Sequence, residues 1–263
     1  RNRYMLTRII AGLALIPLSM FIIVGGLPLY ILESILLFIA IREFYDAFKE
    51  KNINAIHIVA YIFIFYIFLK NQFNLGMEYT YMIIFSLFIY SITYLLRVKN
   101  NILDIAITFF GILYIVTSID FIVLTLNSFE LGKIYVWTIF IISFCTDTFA
   151  YFTGYLFGKH KLIPKVSPKK TIEGSIGGIL GSTICCVIYA MIFNLSVSHL
   201  FIVGSIGSIV AQFGDLFASS IKRYVGIKDY GNLIPGHGGI LDRFDSVILV
   251  APFVYYSILL FTI

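Results

Sequence analysis

The stretch HLFIVGSIGSIVAQFGDLFASSIKR, residues 199–223, decides how the rest of the chain is read. From 199 to 221 it carries no lysine or arginine and has the length, roughly 20 residues, that crosses a bilayer as a helix. Yet Gln212, Asp215, Ser219 and Lys222 fall at i, i+3, i+7 and i+10, which on a helix is one polar stripe. On a membrane helix such a stripe faces protein or water. Asp215 lies roughly 10 Å inside Lys222 at 1.5 Å per residue, deep enough that an unpaired carboxylate is costly. A cation is expected beside it. The carboxylate reads either as half of an ion pair holding two helices together or as a metal ligand or proton-relay group.

Working outward, the same greasy character extends along the chain. Of 263 residues 60% are hydrophobic and 13% charged, more apolar than a soluble core of this size requires. The apolar runs lack the period-2 alternation of a transmembrane barrel. The expected class is all-α, a polytopic integral membrane protein. About nine spans are expected, near 9–25, 27–45, 54–69, 79–96, 103–126, 134–157, 175–195, 199–221 and 241–262. With the N-terminus cytoplasmic, every Lys and Arg except Lys70 and Lys133 falls on the inside, a strong positive-inside bias. The first span, running on from Arg8 into a second, reads as a retained helix rather than a cleaved signal. Cys145, Cys185 and Cys186 fall within spans and offer neither disulfide nor metal spacing. Glu33 and Asp120 lie toward the outer ends of their spans and read as interfacial or packing residues.

Chemistry-bearing residues concentrate in the second half. Residues 1–132 read as N-terminal helices, a scaffold with a role in lipid access, and 133–263 as the part carrying the site. The sixth span carries Ser143, Asp147 and Tyr151 on one stripe. It leads into GKHKLIPKVSPKKTIEG, 158–174, a lysine-rich inside loop. This loop suits anionic lipid headgroups, at about 1 kcal/mol per basic residue, or, through Ser167, Lys169, Lys170 and Thr171, substrate phosphates. Gly158-Lys159 is not a Walker A loop, because His160 follows. Gly177 and Gly181 have the spacing of closely approaching membrane helices.

The last polar concentration is IPGHGGILDRFDS, 234–246, preceded by Lys222, Arg223, Lys228 and Asp229. Glycines around His237 let backbone amides approach an anion. Asp242 and Asp245, three apart with Arg243 between them, share one edge if a helix starts here. Carboxylates gathered with cations and bare amides suit a polyphosphate with Mg²⁺, the acids holding the cation and the cation bridging phosphate oxygens. Taken singly, His237 reads as a loop hydrogen-bonding residue and Arg243 as a partner of Asp245.

These residues resemble the signature of the phosphatidate cytidylyltransferases, also called CDP-diacylglycerol synthases. The resemblance is carried by Ser219-Ser220-Ile221-Lys222-Arg223, Lys228-Asp229, Gly231, Ile234-Pro235, His237-Gly238-Gly239, Asp242-Arg243 and Phe244-Asp245, without departure from the pattern. It extends to DTFAYFTGYLFGK (147–159), SPKKTIEG (167–174) and QFGDLFAS (212–219); the first five spans resemble the family only in length and hydropathy.

What the resemblance implies is transfer of CMP from CTP to phosphatidic acid in phospholipid biosynthesis, with Mg²⁺ and room for a second cation. It implies Asp215 and Asp242 as metal ligands, Asp245 as an outer or alternate ligand, and Asp147 completing or orienting the shell. Ser219, Lys222 and Arg223 would bind substrate phosphates, and Lys169 and Lys170 the pyrophosphate side of CTP. Ser167, Thr171, Lys228, Arg243, His237, Gly238 and Gly239 would complete substrate binding. A homodimer in a bacterial inner membrane, its site facing the cytoplasm and without a nucleic-acid partner, is expected. A CTP-dependent lipid kinase would move the γ-phosphoryl instead, and an ion or lipid transporter would need carboxylates reaching both faces.

Overall fold

The computed structural model describes residues 20–97, 101–231 and 238–262, and they are mostly helical. Two compact units form, one from the described residues of Arg1–Val123 and Val225–Arg243, the other from Leu124–Tyr224 and Phe244–Ile263. Among the described residues five helices are long and apolar enough to cross a membrane: Met77–Leu96, Ile102–Ser128, Gly132–Phe157, Ile172–Ile192 and Val197–Val225. Of the expected first span at 9–25, residues 9–19 lie outside the described residues and 20–24 are helical.

In the first unit, α1 (Gly26–Lys49) buries Leu37, Ile41, Phe44, Tyr45 and Phe48, the i, i+3, i+4, i+7 recurrence of one helical face. Helices α2 (His57–Phe73) and α3 (Met77–Arg97) follow. The next run is α4 (Ile102–Gly111), a π-helical stretch Ile112–Thr117, and α5 (Ser118–Ser128). Helix α4 starts at a capping box: Asn101 accepts from the Leu103 amide and Asp104 reaches back to the Asn101 amide. Asp104 also accepts from the Asn54 amide (2.6 Å), and Tyr45 donates to the Thr108 carbonyl (2.6 Å), tying α1 and the segment before α2 to α4.

Lys70, which the positive-inside reading places in an outer loop, is buried at the end of α2. It donates to Asp120 on α5 (2.6 Å), while Asn71 donates to Asp120 (2.9 Å) and to Glu33 on α1 (3.2 Å). Buried polar groups require such partners, so this cluster ties three helices. Glu33 and Asp120 therefore act in packing.

The second unit contains α6 (Gly132–Phe157), a hairpin of β1 (Lys161–Ile163) and β2 (Ser167–Thr171), α7 (Ile172–Ile192), nearly all of α8 (Val197–Val225) and α10 (Val247–Thr262); the short α9 (Leu241–Phe244), most of it in the first unit, precedes α10 in the chain. Glycines let α6 and α7 approach closely. An added Cβ at Gly177 would stand 2.5 Å from Thr153 Cβ, and one at Gly181 2.6 Å from Phe149 Cβ. Hydroxyls join helices in this unit: Thr146 donates to Ser208 (2.9 Å), Thr183 pairs with Ser205 (3.0 Å) and Ser175 donates to Gln212 (2.5 Å).

Two expectations are corrected. The lysine-rich segment read as a loop contains the antiparallel hairpin, with Lys161 opposite Thr171 and Ile163 opposite Ser167. The expected span at 241–262 is interrupted at residues 245 and 246. There the Asp245 carboxylate accepts from the Ser246 amide (2.8 Å), a local side-chain bond that competes with helical hydrogen bonding.

Candidate active site

Three features of the second unit converge on one site. On α8 the polar stripe is realised as a chain of bonds: Gln212 pairs with Ser175, and Ser219 donates to Asp215 Oδ1 (3.4 Å). The cation expected beside Asp215 is Lys170, whose ammonium lies against Oδ2. Lys170 comes from β2 and is held in place from both sides of the strand. Thr171, the next residue, is the N-cap of α7 and accepts from the Gly174 amide (3.1 Å). Glu173, in the first turn of α7, accepts from the His160 imidazole (2.7 Å) and from the amides of Lys159 and His160, which fixes the approach to β1.

Lys170 and Asp215 line a cavity of about 530 Å³. Asp147 from α6 lines it too, as do Lys161 and Lys169 of the hairpin, Tyr151 and Tyr155, and the polar groups of Thr171, Ser175 and Gln212. The rings of Tyr151 and Tyr155 are near-parallel, 6.4 Å apart, and largely exposed. Asp147, Asp215 and Asp245 lie within electrostatic reach of one another, and Lys222 acts on Asp245. Asp245 is drawn in because its segment packs against α8: an added Cβ at Gly214 would stand 2.8 Å from the Asp245 carbonyl oxygen. Lys222 is buried; Arg223 is exposed and donates through Nε to the Val166 carbonyl in the hairpin turn (3.4 Å).

The second unit thus brings together Asp147, Asp215, Asp245, Lys170, Lys222 and Ser219, with Lys169 and Thr171 on the cavity wall. Ser167 opens β2 opposite Ile163. Asp242, Arg243, Lys228, Gly238 and Gly239 belong to the first unit, and His237 lies outside the described residues. In that unit Asp242 Oδ2 accepts from the amides of Tyr230 (2.8 Å) and Gly239 (2.9 Å). Gly238 sits at φ +82, in the left-handed region that favours glycine. The expectation that Asp242 and Asp245 share a helix edge fails: α9 ends at Phe244, and the two carboxylates bond to different amides. Among the described residues no group of three or more His, Cys, Asp or Glu side chains is arranged to hold a metal ion.

Sequence reasoning missed Lys161, Glu173 and Glu43. The Glu43 carboxylate on α1 accepts from the amides of Ile240 (3.1 Å) and Leu241 (2.9 Å). An ionisable residue within an apolar helix was the available signal.

Carboxylates and lysines gathered in one cavity among apolar helices make a site suited to phosphate compounds. Residues 6–261 match the Cytidylyltransferase family, and the chain belongs to it. It is 32% identical over 264 residues to the phosphatidate cytidylyltransferase of Bacillus subtilis (strain 168), covering 97% of this chain and 98% of that protein. It is 36% identical over 252 residues to proteins of the same name from Staphylococcus saprophyticus and Staphylococcus aureus (strain COL), covering 94% of this chain and 95% of each.

Proposed function

We propose that the protein is a membrane phosphatidate cytidylyltransferase, transferring CMP from CTP to phosphatidic acid to give CDP-diacylglycerol and pyrophosphate. The observation that carries this reading is the Lys170–Asp215 pair in a cavity walled by apolar helices, in a chain of the cytidylyltransferase family. Such a site meets a substrate that is half lipid and half phosphate.

In the reaction an oxygen of the lipid phosphate attacks the α-phosphorus of CTP; that P–O bond forms as the bond from α-phosphorus to the bridging oxygen breaks, and pyrophosphate leaves with its electron pair. The lipid phosphate carries about two negative charges near pH 7, so no strong base is required. This removes the chief reason to make His237 a catalyst. Lys169 and Lys170 neutralise the pyrophosphate side, Ser219, Lys222 and Arg223 bind phosphate oxygens, and Ser167, Thr171, Lys228 and Arg243 complete the anion contacts. His237, Gly238 and Gly239 shape the loop against the nucleotide. Positioning and charge neutralisation supply most of the rate.

Mg²⁺ fits the donor chemistry: carboxylate oxygens only, with Asp147, Asp215 and Asp245 mutually repelling in one unit. Asp215 and Asp242 would be its ligands, with Asp245 as alternate and Asp147 orienting; a second cation would draw on the same acids. When bound, the cation neutralises phosphate charge and orients the leaving group. The Lys and Arg distribution supports a site facing the cytoplasm of a bacterial inner membrane, with residues 1–132 as scaffold and 133–263 as the catalytic part, and the family resemblance supports a homodimer.

The test is a product assay on purified protein in detergent with phosphatidic acid, Mg²⁺ and CTP labelled separately at the α- and γ-phosphates. Incorporation of α-label into lipid, with γ-label released as pyrophosphate, is the expected result; γ-label in the lipid overturns it in favour of a kinase.

A further inference from the structure

The backbone beside Asp242 is held by a second carboxylate that lies far from it in sequence. Glu43, half-buried on α1, accepts from the Ile240 amide through Oε1 and from the Leu241 amide through Oε2. Two glycines make room for it. An added Cβ at Gly231 or at Gly239 would collide with the Glu43 carboxylate, with both of its oxygens in the case of Gly239. The next residue on α1, Phe44, is fully buried, and its ring lies 6.2 Å from that of buried Tyr230, at the other end of the loop. Residues 43 and 44 therefore grip both ends of the segment from Tyr230 to Asp242.

The two carboxylates divide the work. Asp242 Oδ2 joins the Tyr230 and Gly239 amides, and Glu43 takes the next two amides, those of Ile240 and Leu241. Three successive backbone donors, 239 to 241, are thereby satisfied by charged acceptors, which are the stronger kind of hydrogen bond. The bonded amides of 240 and 241 flank Asp242 on its N-terminal side, so whatever fixes them fixes where Asp242 points.

We propose that Glu43 is a positioning residue for cytidylyl transfer: seated against Gly231 and Gly239, it fixes the backbone at Ile240 and Leu241 and with it the orientation of Asp242. The inference deepens the cytidylyltransferase reading and rests on it. It makes an acid of the N-terminal scaffold, outside every recognised motif, a determinant of nucleotide use.

The experiment compares wild type, Glu43→Asp, Glu43→Gln and Glu43→Ala in full-length protein in detergent. It measures kcat and KM for CTP and for phosphatidic acid across a Mg²⁺ titration, with hydrogen exchange of the 238–245 peptide. Glu43→Gln keeps one acceptor and turns an N–H donor toward a backbone donor. It should lower kcat/KM for CTP roughly 10- to 100-fold, as removal of an outer partner of a ligand does, leave KM for phosphatidic acid unchanged, and speed exchange in the peptide. Glu43→Asp should recover part of the loss. In a double-variant cycle Gly239→Ala should cost less in the Glu43→Ala background than in wild type, because the collision partner is gone. Wild-type kinetics and exchange in Glu43→Gln overturn the inference alone, as does a loss equal for both substrates that tracks only the fraction folded. A wild type that places no α-label in lipid overturns the reading on which it rests.

Discussion

Lys170 and Asp215, 45 residues apart in the chain, form an ion pair that joins a β-hairpin strand to the middle of a membrane helix. The pair is partly open to the cavity, its side chains 28% and 22% exposed, so an incoming phosphate can compete for the lysine. Asp215→Asn should abolish turnover while leaving the protein folded, since a neutral amide still bonds Lys170 and Ser219. Lys170→Ala should lower kcat by roughly 10²- to 10³-fold, the cost of removing one preorganised electrostatic donor. Steady-state kinetics with size-exclusion profiles checks both; wild-type-like activity in Asp215→Asn removes that residue from the cation assignment.

Chelation should stop the reaction and Mg²⁺ restore it. Ligand binding to the folded state also raises thermal stability by RT ln(1 + [L]/Kd). Mg²⁺ should therefore raise Tm of the wild type but not of Asp215→Asn, a readout independent of turnover.

The Lys70–Asp120 pair is more deeply buried, with side chains 8% and 4% exposed. Breaking a buried pair strands a charge and costs about 3–5 kcal/mol, whereas replacing both partners by apolar groups is often neutral. Lys70→Met should thus be strongly destabilising, and Lys70→Met with Asp120→Leu should recover most of the loss in thermal unfolding in detergent.

At the α6–α7 contact, Gly177→Ala and Gly181→Ala should each destabilise by about 1–3 kcal/mol, the usual cost of overpacking. The added methyls meet Thr153 and Phe149 near their Cβ atoms, where neither side chain can swing away. Unfolding midpoints measure the effect, and unchanged values would mean that the helices part easily.

Much of the site was legible because it is local. The Gln212, Asp215, Ser219 and Lys222 stripe follows from helical periodicity alone, and the need for a cation beside Asp215 follows from burial. Which cation could not be read, because Lys169 and Lys170 are equivalent in sequence and only the hairpin register selects between them. The hairpin itself was hidden by its lysines and prolines, which look like a polar loop. The break at residues 245 and 246 was hidden because Val247 onward is apolar enough to carry a helical reading back through Asp245. Glu43 and the Lys70–Asp120 pair depend on tertiary pairing across long separations, which no local pattern encodes.

The position of Thr171 has a consequence for how this segment can change. It is the last residue of β2 and the cap of α7, directly after Lys170, so no spacer separates the charged strand from the helix start. Insertions in the turn at 164–166 lengthen the hairpin tip and leave the base in register. An insertion between 170 and 174 would shift the lysine relative to the cap and turn it away from Asp215. Sequence drift and loop grafting should therefore be tolerated at the tip and rejected at the base, with residues 170–174 transferable only as one block.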